Sequence, residues 1–197
     1  CTACNFPATY FGTLIRCLIE NNNTMEAGGG NQICRNSNFY NSIITSNFGK
    51  PAGYTTYGCR MVNCTVTGNY TAEATSTFAL NVPVVANNSI IECSGRVNAA
   101  GVYSNSVCVT GNPNTPFDTP AYALIAPTLG DYRVRKDAVA ETAGRGEDQD
   151  LFTVPDVYKN KDFNGNPIPT SGTIMAGALQ ESVAAAGNGI HVTCDVS

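Results

Sequence analysis

The sequence predicts an all-β solenoid, and three observations carry that reading. The first is a phrase that keeps returning: Arg16-Cys17-Leu18-Ile19-Glu20-Asn21-Asn22, Asn41-Ser42-Ile43-Ile44-Thr45-Ser46-Asn47, Asn63-Cys64-Thr65-Val66-Thr67-Gly68-Asn69, Asn88-Ser89-Ile90-Ile91-Glu92-Cys93-Ser94 and Asn105-Ser106-Val107-Cys108-Val109-Thr110-Gly111. The starts are separated by 41−16 = 25, 63−41 = 22, 88−63 = 25 and 105−88 = 17 residues. A period of roughly 20–30 residues with one strand per repeat marks a stack of repeats. The second is alternation within the phrase. Its second position is always Cys or Ser and its fourth is Ile19, Ile44, Val66, Ile91 and Cys108, so both rows lie on one face of a strand. The third is composition: 43% of residues are hydrophobic but only 13% are charged. The remaining polarity lies in Asn, Thr, Ser and Gly, which favours strands and turns over helices.

Taken along the chain, residues 10 to about 112 form the repeat block. The second and fourth rows point inward, the second kept small because the chain coils tightly there. Asn at the first position (Asn41, Asn63, Asn88, Asn105) and at the seventh (Asn22, Asn47, Asn69) tolerates the left-handed backbone of sharp corners. Stacked in register, its amide also bonds the same residue of the next repeat. Gly28-Gly29-Gly30, Lys50-Pro51-Ala52-Gly53 and Asn112-Pro113-Asn114 are turns between phrases.

The character changes after Pro113. Every aspartate lies at or beyond Asp118, together with six of the eleven basic residues. The division expected is therefore 1–117 for the repeats and 118–197 for final rungs and a loop-rich C-terminal cap of the same domain. In that second part a strand is expected at Asp131-Tyr132-Arg133-Val134, a tight turn at Asp162 to Pro167, and a last strand over 172–180. Residues 190–196 add one more. The irregular stretch between them fits a loop that wraps or caps the end of the stack.

Asn63-Cys64-Thr65-Val66-Thr67-Gly68-Asn69, with the Gly28-Gly29-Gly30 run, resembles the right-handed parallel β-helix repeats of the pectin-lyase-like superfamily. The ordered tail, Gly130-Asp131-Tyr132-Arg133-Val134, Ala138-Val139-Ala140, Asp162-Phe163-Asn164-Gly165-Asn166-Pro167 and Ala176-Gly177-Ala178-Leu179-Gln180, resembles the C-terminal end of bacterial surface β-helix proteins of the choice-of-anchor kind. The likeness spans residues 10–180 and departs from the pattern at the acidic 141–161 segment. It implies a three-faced coil, an extracellular, cell-surface or periplasmic location and association with carbohydrate. It implies no one activity, since a fold does not carry function.

Charge excludes some partners. Net charge is −4 and no stretch clusters Lys and Arg, which argues against nucleic acid and anionic membrane surfaces. No apolar run reaches the ~20 residues that span a bilayer, and no basic stretch followed by an apolar one marks a signal peptide. Of nine cysteines, Cys17 and Cys64 share a phase with Ser42, Ser89 and Ser106, so they read as small buried residues. Disulfides between neighbouring rungs fit the ~4.8 Å strand spacing as well. Cys1-x-x-Cys4 has no second pair at metal spacing, and His191 is the only histidine, so zinc is not expected.

Enzymes on such a coil need carboxylate pairs or a base with a cation. Among the repeats the acids are Glu20, Glu26, Glu73 and Glu92. Glu20 and Glu92 share a phase but stand three rungs apart, ~14 Å at the usual strand spacing, beyond the ~5–9.5 Å of glycoside hydrolysis. The cations Arg16, Arg35, Lys50, Arg60 and Arg96 fall in different phases, with no acidic cluster to hold calcium for a lyase. His191 has no placed partner, and Glu147, Asp148 and Asp150 read as a solvated acidic loop. Asp162, Asn164 and Asn166 have the spacing that opens a calcium loop but lack its downstream Glu; they are the candidate metal ligands, and calcium is the only cofactor in view. Tyr54, Tyr57, Tyr70 and Tyr103 lie near turns where rings can stack on sugars. The function expected is a secreted or cell-surface module, without catalysis, that binds carbohydrate or another surface. The alternative is a fragment of a polysaccharide lyase or glycoside hydrolase acting on uronic-acid polymers. The chain reads as the C-terminal part of a longer solenoid.

Overall fold

A left-handed backbone residue recurs every fifth position and sets the architecture. The computed structural model describes residues 8–23, 32–49, 54–71, 78–81, 85–93, 96–97, 102–110, 124–136, 138, 140–145 and 151–183. Phe11, Arg16 and Asn21 have φ near +53°, as do Asn36, Asn41 and Ser46 within a few degrees, and then Gly58, Asn63 and Gly68. Each bends the chain between short strands. The first rung holds β1 (Thr9–Tyr10), β2 (Thr13–Ile15) and β3 (Leu18–Glu20). The second holds β4 (Gln32–Arg35), β5 (Asn38–Tyr40) and β6 (Ile43–Thr45), with β7 (Phe48–Gly49) after it. Next come β8 (Tyr54–Tyr57), β9 (Arg60–Val62) and β10 (Thr65–Thr71), then β11 (Phe78–Asn81), β12 (Val85–Asn87) and β13 (Ile90–Cys93). The fifth rung is β14 (Arg96–Val97), β15 (Val102–Ser104) and β16 (Val107–Thr110).

Equivalent strands pair in parallel. The sheets run β1-β4-β8-β11-β14, β2-β5-β9-β12-β15 and β3-β6-β10-β13-β16. The chain visits each in turn, an order compatible with a β-solenoid. Register follows the phrase along its inward row: Ile19 pairs with Ile44, Ile44 with Val66, Val66 with Ile91 and Ile91 with Cys108, and it shifts only after Thr67, where Asn69 falls opposite Cys93. Ile19, Ile44, Val66 and Ile91 of this row point inward with Phe39, Met61, Ala86, Cys34, Cys59 and Cys64 and form the core.

Corner chemistry repeats too. After the left-handed residue, except at Phe11-Gly12, comes a small polar side chain, and at several corners it closes the bend. Ser42 Oγ donates to the carbonyl of Tyr40 at 3.0 Å, Ser89 to Asn87 at 2.8 Å and Ser106 to Ser104 at 2.7 Å. The Cys64 thiol does the same to Val62 at 3.2 Å. Each hydroxyl also accepts the N–H of its counterpart one rung earlier: Cys17 to Ser42 and Cys64 to Ser89 at 3.1 Å, Ser89 to Ser106 at 3.0 Å. At the third corner the residue is Asn, and its amides form a ladder. Asn22 N–H and Nδ2 both donate to Asn47 Oδ1, whose own N–H and Nδ2 donate to Asn69 Oδ1, all within 2.9–3.1 Å. The seventh-position asparagines thus stack, while it is the residues before them that bend the chain.

The tail differs from the expectation. Asp131–Arg135 is a strand, β18, as expected, but it pairs with β17 (Leu124–Ala126) and β21 (Ser182–Val183). α1 (Ala140–Ala143) and β19 (Gly144–Arg145) follow, and β19 pairs with β20 (Thr173–Ile174), the only strand within 172–180. None of these adds a strand to the three parallel sheets. The described part of the tail lies along the side of the stack. Leu124, Val134, Ala140 and Ala176 pack on Ile90 from β13, and Val154 packs on Tyr40 and Val62 from β5 and β9. The reason is the outward row of the third sheet, Leu18-Ile43-Thr65-Ile90-Val107, which is aliphatic at four of five positions. Leaving it in water would forgo ~25 cal/mol for each Å² of apolar surface covered, so the tail folds back on it and Ile43 and Ile90 are buried to 1% and 0% exposure.

Candidate functional site

Where the tail crosses the first two rungs, it leaves a groove of about 420 Å³. Leu18 and Ile43 from the outward row, with Leu179, make its floor. Tyr132 and Phe163 stand beside them, and Asp131, Arg133 and Asn164 supply the polar edge.

Each wall is held by a traceable contact. Gly130 turns the chain with φ +80° after a 3-10 turn over Pro127–Leu129, which brings Asp131 to the start of β18. The Asp131 carboxylate grips Arg133 in a two-pronged pair, Nε to Oδ1 at 2.9 Å and Nη2 to Oδ2 at 2.7 Å. Arg133 Nη1 reaches Glu181 Oε1 at 3.2 Å. Hydrogen bonding from Arg133 holds the Asp131 carboxyl below its ordinary range, and the same bonds push the guanidinium up. Two carboxylates face one guanidinium, so this edge is net negative by one charge. On the opposite side, Phe163 N–H donates to Ala178 O at 2.7 Å, and Arg16 Nε donates to Phe163 O at 2.9 Å. Arg16, at the left-handed corner of the first rung, is thus a strut for the turn beside the groove.

The candidate metal ligands close that turn by themselves. Asp162 is fully buried. Its Oδ1 accepts Asn166 N–H at 2.8 Å, and its Oδ2 accepts Asn166 Nδ2 and Gln180 N–H at 3.2 Å. Asn164 and Asn166 are exposed. A cation at this turn would have to displace three N–H donors from the carboxylate it needs. Among the described residues no three His, Cys, Asp or Glu side chains gather as a metal site.

Other candidates fall elsewhere. Glu20 and Glu92 lie in one register line, separated by Thr45 and Thr67. Tyr57 stands on the outward side of the first sheet, in line with Arg35 and Tyr10. The Arg35 guanidinium lies between the two rings, 5.6 Å from each centroid. Phe11 meets Tyr10 edge to face at 4.6 Å, and both are well exposed. Sequence reasoning missed this aromatic stack, though Tyr10, Arg35 and Tyr57 each immediately precede a left-handed corner, a shared phase that would have revealed it. It also missed the groove, which depends on where the tail returns. The side chains of Tyr54, Tyr70, Tyr103 and Arg96 lie outside the described residues. So do Cys1, Cys4, Glu26, Lys50, Glu73, Glu147, Asp148, Asp150, His191 and the expected strand at 190–196.

No family model, no curated protein and no solved structure matches the chain. Its groove must therefore be read by its chemistry. The lining carries no Cys, His or Ser, and its one acid is held ionised by Arg133. Within the lining it is the one carboxylate, with that of Glu181 beyond it on the same guanidinium. No helix among the described residues is long and apolar enough to cross a membrane.

Proposed function

We infer that this chain is a secreted or cell-surface module that binds carbohydrate without transforming it, built as a right-handed β-helix of the pectin-lyase-like kind. The observation that carries the reading is the groove over Leu18 and Ile43. Its volume of about 420 Å³ lies within the ~300–1,000 Å³ of small-ligand clefts, and its parts suit a pyranose ring. A sugar presents a C–H face that leaves water for an apolar or aromatic surface, and a rim of hydroxyls that needs donors and acceptors. Leu18, Ile43, Tyr132 and Phe163 offer the first; Asn164, Asp131 and the outer N–H groups of Arg133 offer the second. The net negative edge favours a neutral sugar over a uronate. The exposed Tyr10-Phe11 pair adds a second ring surface on the same first rung.

A glycan array followed by calorimetry tests this. Saturable binding to neutral glycans is expected, weakened about tenfold by Phe163→Ala or Tyr132→Ala, a loss of ~1.4 kcal/mol. Absence of binding to every glycan, or release of reducing ends or unsaturated products from any polysaccharide, sinks the reading.

A further inference from the structure

Five residues bend the chain between the second and third sheets: Arg16, Asn41, Asn63, Asn88 and Asn105, all with φ between +49° and +52°. Asparagine tolerates this left-handed backbone, whereas arginine has no short polar group to compensate it locally. Arg16 is thus the one member of the row held in a disfavoured conformation, its N–H fixed on Tyr40 O at 2.9 Å. Strain of this kind persists where the surrounding structure makes use of it.

What arginine supplies here is reach. Asn88 meets the backbone of Arg145 with its amide, and Asn41 meets the Lys161 carbonyl, because the tail lies directly on those corners. Over the first rung the groove lies between the third sheet and the tail. Arg16 Nε donates to Phe163 O at 2.9 Å, and the amide nitrogen of an asparagine would end one bond earlier, about 1.5 Å short. That gap is too wide for a hydrogen bond. Beyond Nε the guanidinium continues over Gly165. A Cβ on that glycine would stand 3.0 Å from Nη2 and 3.4 Å from both Cζ and Nη1, near-equal distances that lay the flat group against the glycine. Phe163 is consequently held from both ends, its N–H by Ala178 O at 2.7 Å and its carbonyl by Arg16. Its ring is a wall of the groove.

We propose that Arg16 is a positioning residue of the groove. It sets the place of the Phe163 wall over the Leu18 and Ile43 floor and, through that wall, the affinity for a ring bound there, an effect that rests on the carbohydrate-binding reading above. Strain accepted at one corner of the first rung is exchanged for a fixed wall.

Arg16→Asn tests this, because it installs the corner residue of the other four rungs. It relieves the left-handed backbone and forfeits one hydrogen bond, effects of similar size and opposite sign, so the denaturation midpoint should stay near that of wild type. Amide hydrogen exchange at Phe163 and Gly165 should rise about tenfold, with no change at Arg145 and Gly177, which Asn88 holds. Calorimetry with neutral oligosaccharides returned by the glycan array should show binding about tenfold weaker. Arg16→Lys keeps the charge and the strain and can reach the carbonyl, but cannot lie flat on Gly165; it should recover part of the protection and part of the affinity. A merely structural role predicts another pattern, in which midpoint and affinity fall together and exchange rises along the whole tail. That outcome overturns the proposal, as does unchanged exchange at Phe163 and Gly165 or wild-type affinity in Arg16→Asn. Should wild type bind no neutral oligosaccharide, the carbohydrate reading fails, and exchange at Phe163 and Gly165 still decides whether Arg16 holds the wall.

Discussion

The side chain of Asn88 holds the backbone of Arg145 from both sides, Nδ2 donating to its carbonyl at 2.8 Å and Oδ1 accepting its N–H at 2.9 Å. The same asparagine bends the fourth rung with φ +49°, and its own carbonyl takes the N–H of Gly177 at 2.7 Å. One residue thus forms a corner of the fourth rung and anchors two segments of the tail. Along this corner row, Asn41 Nδ2 donates to Lys161 O, and Arg16 donates to Phe163 O. The row that bends the chain between the parallel sheets also fastens the segment that makes the groove.

Asn88→Gly separates the two duties. Glycine accepts the left-handed backbone without strain but has no amide, so only the clamp is lost. Two hydrogen bonds at about 1 kcal/mol each predict a loss of about 2 kcal/mol. Asn88→Ala adds the left-handed penalty of about 1 kcal/mol. Chemical denaturation should rank wild type above Asn88→Gly above Asn88→Ala, and limited proteolysis should cut the 140–180 region faster in both variants. Equal stability of the three would show that the clamp carries nothing.

Gly177→Ala should lift the tail from the third sheet. A Cβ there would stand 2.8 Å from Ile90 Cδ1 and 2.9 Å from Thr65 Oγ1, at a φ of +103°. Neither neighbour has room to yield, since both side chains are fully buried. Overpacking of this kind costs about 1–3 kcal/mol. Because Ala178 N–H donates to Thr65 Oγ1 at 3.0 Å, the shift should also break that bond. A lower melting temperature and faster hydrogen exchange at 176–180 are expected; unchanged exchange would place the tail elsewhere.

The coil was legible from sequence because its rule is local. Asn63-Cys64 states in two residues both the left-handed bend and the small inward side chain, and its copies align in register without a gap. The bends at Asn36-Ser37 and Gly58-Cys59 obey the same rule five residues earlier, but Phe11-Gly12 disguises it in the first rung, so that corner escaped notice. The tail's position was not legible as a route, since nothing local aims residues 140–178 at a particular sheet. It was legible as a need. An outward row reading Leu18, Ile43, Thr65, Ile90 and Val107 cannot face water along its length, and that row alone announced a cover on the third sheet. The groove follows from where the cover stops short, over Leu18, and no motif encodes that.

Asn47 is the central link of the asparagine ladder. It accepts two bonds from Asn22, gives two to Asn69 Oδ1, and its Nδ2 also donates to Ile19 O at 3.0 Å. It is fully buried. Asn47→Ala takes the acceptor from the buried Asn22 N–H and one donor each from Asn69 Oδ1 and the Ile19 carbonyl, which predicts a loss of about 3 kcal/mol. Asn47→Asp matches the shape but turns an oxygen toward two acceptors, and should fall further. Denaturant midpoints check both; a loss below about 1 kcal/mol for Asn47→Ala would make the ladder ornamental to stability.

Three buried thiols make stability depend on alkaline pH. Burial raises Cys59 from 9.0 to about 11 and Cys64 from 9.0 to about 12. It raises Cys34 as well, with Cys59 nearby adding to the shift. In the unfolded chain these thiols ionise near pH 8.5, while the folded chain keeps its protons. Below that pH both states hold the proton, and stability does not depend on these groups. Above it the unfolded chain holds fewer protons than the folded one, so stability falls with rising pH until the folded thiols themselves ionise, near 11 to 12. Denaturation midpoints should therefore be flat across neutral pH and decline steadily above about 8.5. A Cys59→Ser/Cys64→Ser variant, in which the hydroxyls can repeat the Ser42 and Ser89 corner bonds, should decline less steeply. Thiol reagents at pH 8 should label half-exposed Cys17 in the native protein well before Cys34, Cys59 or Cys64. Prompt native-state labelling of Cys64 would contradict its place in the core.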